Sequence, residues 1–450
     1  MFIASTLVAV TFRSRCNLRD GSDKLHRDLK VTPTKLVFLY RMKLYHNIRK
    51  LYTPSGFAVA RGSTMRNIKE IDNAAILVRD DGTIAFAGLE PHHVPFLKKE
   101  VEIERIDCRS LIALPGFVDS HTHVVHAGSR SVEFAMRAEG RSYQEIAANG
   151  GGIITSVEQV KKATDDQIVR YSRPFIERAL ALGTTMMEIK TGYGLSTESE
   201  RKLLDAIKRI GDEAPLEIVK TFLGAHAVPI GKSQVDYVLE VLEEQLPALF
   251  REAEFCDVFM DEGYFTKEET IRICTKAKKL GMKIKLHADE LAETDGARTA
   301  VQLGAFSADH LLKVSDEGIR ALAGSERTVA TLLPITALTL SLPYAPARKM
   351  IEAGCAVAIA TDCNPGTAMS ENMQFALTLS VIGMRLSPQE ALTAATLNGA
   401  AALDRAATHG SIERNKVADF VLYDIPRLEY LPYHIAVSDV AMVVKRGEIV

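Results

Sequence analysis

The stretch LIALPGFVDSHTHVVHAG, Leu111–Gly128, runs apolar for eight residues and then delivers His121, His123 and His126. A short apolar run with polar flanks reads as a buried strand. Side chains alternate faces along a strand, so His121 and His123 project together at its end, and His126 falls off that face by parity. Two neutral imidazoles that close suit a divalent cation, with zinc and iron both accepting nitrogen and carboxylate ligands.

Working outward, seven more short β-rich segments follow: GTTMMEIKTGYG, LEIVKTFLGAH, CDVFMDEGYF, KIKLHADE, AFSADHL, TVATLLP and AVAIATDCNPG. Several of the intervals have helical character. Thr197 to Glu200 reads as a capping box followed by Leu203, Leu204, Ile207 and Ile210 at helical spacing. Thr266 to Glu269 reads as a second, with a stop at Gly281. Ile168, Phe175, Ala179 and Leu182 share a helical face, and Pro174 within it implies a kink or a helix start. Eight strands separated by helices over about 250 residues is the count of a (β/α)8 TIM-like barrel. A doubly wound dinucleotide fold would want GxGxxG after its first strand, which is absent. NGGGI, Asn149–Ile153, lacks the Lys-Ser/Thr of a phosphate-binding loop and reads as a plain loop.

Both flanks look different. AAILV and TIAFAG surround Arg79-Asp80-Asp81-Gly82, a hairpin signal, and ADFVLYD and DVAMVVKRGEIV near the C-terminus are strand-like. The expected architecture is α/β: a barrel over 114–400, with a small β-sandwich domain built from 42–113 and 401–450. Residues 1–41 are expected to be a disordered extension. MFIASTLVAVTF has no basic segment before it, and Asp20, Asp23 and Asp28 argue against a transit peptide, so Met42 is a candidate start.

Composition is that of an ordinary globular protein, 47% hydrophobic and 25% charged. A net charge of −2 gives no field to attract nucleic acid or an anionic membrane. Six scattered cysteines without a CxxC pair, and no apolar run of membrane length, point to a reducing, cytoplasmic setting.

In a barrel of this kind, chemistry sits at the C-terminal strand ends. Here those ends carry His121 and His123, His226, His287, His310 and Asp362. His287 and Asp362 would complete a four-ligand set with the first pair. Singly, each has an ordinary reading: surface histidines, a core histidine, a turn-forming aspartate. The conjunction at strand after strand is what points to a metal. His126 and Cys363 are read as structural, and His26, His46, His92, His93, His409 and His434 as solvated.

LPGFVDSHTH, HADE, ADHL and ATDCNPG together resemble the amidohydrolase superfamily. HTHVVHAGSRSVEF, AANGGGI, EIKTGYGL, FLGAHAVP and KLHADEL narrow the resemblance to its imidazolonepropionase family, from about residue 70 to the end. That resemblance implies His121, His123, His287 and Asp362 as ligands of one zinc or iron ion per subunit. It implies a small-molecule substrate, imidazolone propionate, opened by a metal-activated water to N-formimino-glutamate, and a homodimer. Arg130 matches the arginine for the propionate, which a bidentate guanidinium would suit. Tyr193, His226 and Glu290 match groups around the ring, and Asn364, Gly366 and Thr367 line the product side. His226 is expected to hold the oxyanion, Glu290 or Asp362 to move the proton, and His310 to assist. CDVFMDEGYF lacks the terminal lysine that bridges two metals in binuclear relatives, while Lys190 lies on the second strand, so one ion is expected. Ser120 and Ser131 depart from the family's usual Pro and Glu. The rival readings are another cyclic amidohydrolase or a nucleobase deaminase, and a non-catalytic barrel, which would require a broken ligand set.

Overall fold

The computed structural model describes residues 40–96, 101–141, 145–146 and 151–450. The proposed N-terminal extension, apart from Tyr40 and Arg41 of the first strand, lies outside the described residues, as do His26 and the Asn149–Gly150 start of NGGGI; Gly152 and Ile153 already cap and begin a helix.

Five strands precede the barrel: β1 (Tyr40–Pro54), β2 (Ile68–Arg79), β3 (Ile84–Leu89), β4 (Val101–Asp107) and β5 (Ile112–Pro115). Three more close the chain: β14 (Phe420–Tyr423), β15 (Val440–Lys445) and β16 (Glu448–Ile449). They form one sheet in the order β16-β15-β14-β5-β1-β2-β3, with β4 parallel to β1. Both chain ends thus meet at the antiparallel β5–β14 pair. Gly82, at φ +78°, closes the β2–β3 hairpin by donating its N–H to Arg79 O at 3.0 Å. Ile76 and Val78 enter one apolar cluster and Ala75 and Leu77 another, so the second half of β2, Ala74–Val78, is buried on both faces.

The intervening strands are β6 (Phe117–Asp119), β7 (Thr184–Lys190), β8 (Glu217–Ala225), β9 (Phe255–Met260), β10 (Lys283–Ala288), β11 (Ser307–His310), β12 (Val329–Leu332) and β13 (Val357–Ile359). All pair in parallel in sequence order. The ring closes beyond the named strands: Asp362 N–H donates to His121 O at 3.0 Å and His123 N–H to Cys363 O at 2.9 Å. This is the (β/α)8 barrel, with every residue of β7 and β9 buried, as a parallel sheet covered on both faces requires.

Three local expectations need correction. The helix Thr197–Glu213 is capped by Ser196, whose hydroxyl accepts from Ser199 N–H; Glu200 turns away from the cap to a neighbouring loop. Pro174 does not start a helix: it lies inside the helix Asp165–Ala181, which starts from the Thr164 capping box. His93 and His409 are buried rather than solvated. His409 Nε2 sits 3.1 Å from Glu217 Oε2, where the foot of the barrel meets the small sheet. The Thr266–Glu269 capping box forms as read. Among the described residues no helix is long and apolar enough to cross a membrane.

Candidate metal centre and substrate recess

β6 ends where the chain turns over the barrel mouth, and this brings His121 and His123 to the barrel axis. Their Nε2 atoms are 3.3 Å apart, and Asp362 Oδ1 lies 3.5 Å from the first and 3.7 Å from the second. The His287 ring, at the end of β10, is centred 4.6 Å from that of His121 and 5.4 Å from that of His123. Ligand atoms of His121, His123 and His287 fall within 4.8 Å of one another, as do those of His121, His310 and Asp362.

The distal nitrogens define which atoms face inward. His121 Nδ1 donates to Asp309 Oδ2 at 2.6 Å, and His287 Nδ1 is 2.9 Å from Asp257 Oδ2. Each Nε2 is therefore left with a lone pair pointing into the cluster. Burial, ahead of the Lys190 ammonium, holds His121 well below the ordinary imidazole range, and burial does the same for His123. Asp362 Oδ2 accepts from Thr336 Oγ1 at 2.5 Å, which leaves Oδ1 for the imidazoles. Burial pushes Asp362 up to about 6. Lone-pair nitrogens and a carboxylate oxygen packed this closely repel one another unless a cation stands between them, so the donor set fits a divalent ion.

Two residues that the sequence reading passed over, Asp257 and Asp309, orient these imidazoles. They belong to a fully buried charge network inside the barrel. Lys190 Nζ lies 2.8 Å from Asp257 Oδ2 and 2.9 Å from Glu188 Oε1, and Lys285 Nζ lies 3.0 Å from Glu188 Oε2. Both ammonium groups are 3.7 Å from Asp309 Oδ2.

Above the cluster a single recess is lined by His123, Arg130, Tyr193, His226, His287 and Glu290, together with His310, Asp362, Asn364 and Thr367. His121 lies beneath it, fully buried. Gly366 backs the recess: a Cβ there would stand 2.2 Å from Arg130 Nη1. Asn364 Oδ1 accepts from the N–H groups of Gly366 and Thr367 at 2.7 Å each, which folds this loop into a tight turn. Glu290 Oε1 is 3.5 Å from His310 Nδ1. Burial, then the charges of Asp362 and Asp261, push the Glu290 carboxyl well above its ordinary value. His126 packs against Tyr171, Phe175 and Tyr193, away from the cluster.

The geometry bears on Arg130 and His226 in particular. The Nε and Nη2 edge of Arg130 is taken by Glu133 Oε2, at 3.0 and 2.9 Å, so that fork cannot also grip a substrate carboxylate. His226 Nδ1 is 3.0 Å from Gly192 O, a group that only accepts, so the proton is on Nδ1. Burial holds His226 at about 3, so in the neutral ring Nε2 carries the lone pair that faces the recess.

A profile of the amidohydrolase family matches residues 112–450. An imidazolonepropionase of Thermoanaerobacter pseudethanolicus is 44% identical over 406 residues, covering 89% of this chain and 96% of the relative. One from Caldanaerobacter subterraneus subsp. tengcongensis is 45% identical over 407 residues, with the same coverage. Among solved structures, an adenosine deaminase from Xanthomonas campestris with bound zinc superposes with a TM-score of 0.67 at 17% identity, covering 91% of this chain and 92% of that one. The fold, the donor cluster and these likenesses agree: the chain belongs to the amidohydrolase family and, within it, to the imidazolonepropionases.

Proposed function

We infer that this chain hydrolyses the ring amide of 4-imidazolone-5-propanoate, adding water across the carbonyl carbon–nitrogen bond to give N-formimino-L-glutamate. The observation that carries this reading is the convergence, in one recess, of the donor cluster with Arg130, Tyr193, His226 and Glu290. Likeness at 44–45% identity to proteins named for that reaction supports it.

One zinc or iron ion, held by His121, His123, His287 and Asp362, would supply the Lewis acidity that activates the water and polarises the ring carbonyl. The remaining work belongs to side chains. Arg130, its plane fixed by Glu133, supplies positive charge to the propionate. His226 accepts at Nε2 from a ring N–H, and Tyr193 packs beside it with ring centroids 5.4 Å apart. Asp362 has Oδ2 engaged by Thr336 and Oδ1 turned to the position the ion would take, so Glu290 is the better proton carrier between the water and the leaving ring nitrogen. His310, next to it, completes the relay.

Protein loaded with a defined equivalent of zinc or iron is incubated with imidazolone propionate while the substrate's ultraviolet absorbance is followed. Loss of absorbance with formation of formimino-glutamate is expected. Metal-loaded, folded protein that leaves the substrate intact overturns the assignment.

A further inference from the structure

Glu200 is fully buried on the first turn of the helix Thr197–Glu213, yet it caps nothing in that helix. Its carboxylate instead accepts three backbone N–H groups from the preceding loop: Gly194 and Leu195 at 2.8 Å on Oε1, and Gly192 at 3.0 Å on Oε2. Positive φ angles at Gly192 (+106°) and Leu195 (+53°) curl the loop around that carboxylate. A Cβ on Gly194 would come within 2.5 Å of Glu200 N, so the loop is seated directly on the helix.

The other side of the same loop meets the recess. Gly192 O fixes the His226 tautomer by accepting its Nδ1–H, and Tyr193, held between two anchored glycines, packs against both His226 and His123. Two rings that face the substrate thus depend on one short peptide segment, and that segment depends on one carboxylate.

We propose that Glu200 is a positioning residue for substrate recognition, acting through Gly192 and Tyr193 without touching substrate or metal. This rests on the reading of the recess as the imidazolone site. Glutamine at position 200 keeps the size of the side chain but turns a donor N–H toward backbone N–H groups, so the loop must shift.

The test compares wild type, E200Q, Y193A and the double variant as metal-loaded proteins. Three readouts are taken: KM and kcat on imidazolone propionate, metal per chain, and chelator resistance. The expected result is a KM raised about tenfold or more in E200Q, with metal content and chelator resistance as in wild type. In the Y193A background E200Q should add roughly twofold or less, because the two changes act through the same contacts. An unchanged KM, lost metal, or full additivity with Y193A overturns the proposal. If E200Q does not fold, E200D, which keeps an all-acceptor carboxylate one methylene shorter, is read in the same way: raised KM with intact metal content supports the role, and unchanged KM overturns it. An inactive wild type would instead count against the proposed reaction.

Discussion

His121 Nδ1 and Asp309 Oδ2 are 2.6 Å apart, although 188 positions separate the two residues in the chain. The contact fixes which imidazole nitrogen carries the proton and aims Nε2 at the donor cluster. An asparagine at 309 keeps an acceptor but loses the charge that makes the imidazole a strong donor. Such orienting partners are typically worth 10–100-fold in metal affinity. D309N should therefore lower zinc affinity by about tenfold or more, measured by chelator competition on protein whose circular dichroism is unchanged. Equal affinity in D309N and wild type would mean the imidazole is oriented by something else.

Arg130 is held on one edge by Glu133, and Gly366 lies against its other terminal nitrogen. Lysine lacks the planar fork, so R130K cannot keep the Glu133 contact and present its charge in the same place. KM should rise on the order of tenfold or more with kcat changed much less. Steady-state kinetics over a range of substrate concentration separates the two; an unaltered KM removes Arg130 from the substrate site.

G366A probes the same guanidinium without touching its charge. The added methyl would sit 2.2 Å from Nη1, and Arg130 is too buried to move aside freely. The variant should reproduce the KM effect of R130K at a stability cost of about 1–3 kcal/mol, and combining the two should add little to the KM effect of either. Additive effects would show that Gly366 serves the loop and not the arginine.

These side chains differ in how far the sequence reveals them. His121 and His123 are legible because strand alternation and the preceding apolar run fix their face and their place at the barrel mouth. Asp309 is harder to see because alternation fails at its neighbour. His310 has φ +75°, so the chain twists out of the strand and both Asp309 and His310 reach the cluster. Asp362, at φ +55°, breaks the pattern in the same way. Lys190 and Lys285 are hidden for a different reason. A lysine in an otherwise apolar strand gives no local sign of burial, and only its pairing with Glu188, Asp257 and Asp309, most of it across strands, makes burial tolerable. The cap at Ser196 is hidden because Thr197 to Glu200 satisfies the capping-box pattern equally well. The decision rests on three loop N–H groups that need the Glu200 carboxylate more than the cap does.

Glu217 offers a test of stability away from the recess. Burial alone would raise its pKa, but His409, Lys445 and Arg405 outweigh that and hold the carboxyl at about 2 against an ordinary 4.5. A depressed folded pKa means that the unfolded chain takes up this proton first. The stabilisation is therefore complete above about pH 4.5, shrinks as pH falls through the interval toward 2, and is absent below it. Each unit of difference corresponds to about 1.4 kcal/mol, and partial solvent screening brings the whole effect to roughly 2 kcal/mol. E217Q should be less stable than wild type at pH 7 by about that amount. Denaturant midpoints taken at pH 7, 5, 4 and 3 should show the two proteins converging only at the acid end. A gap that stays constant across the series would mean that Glu217 contributes through packing or neutral hydrogen bonds and not through its charge.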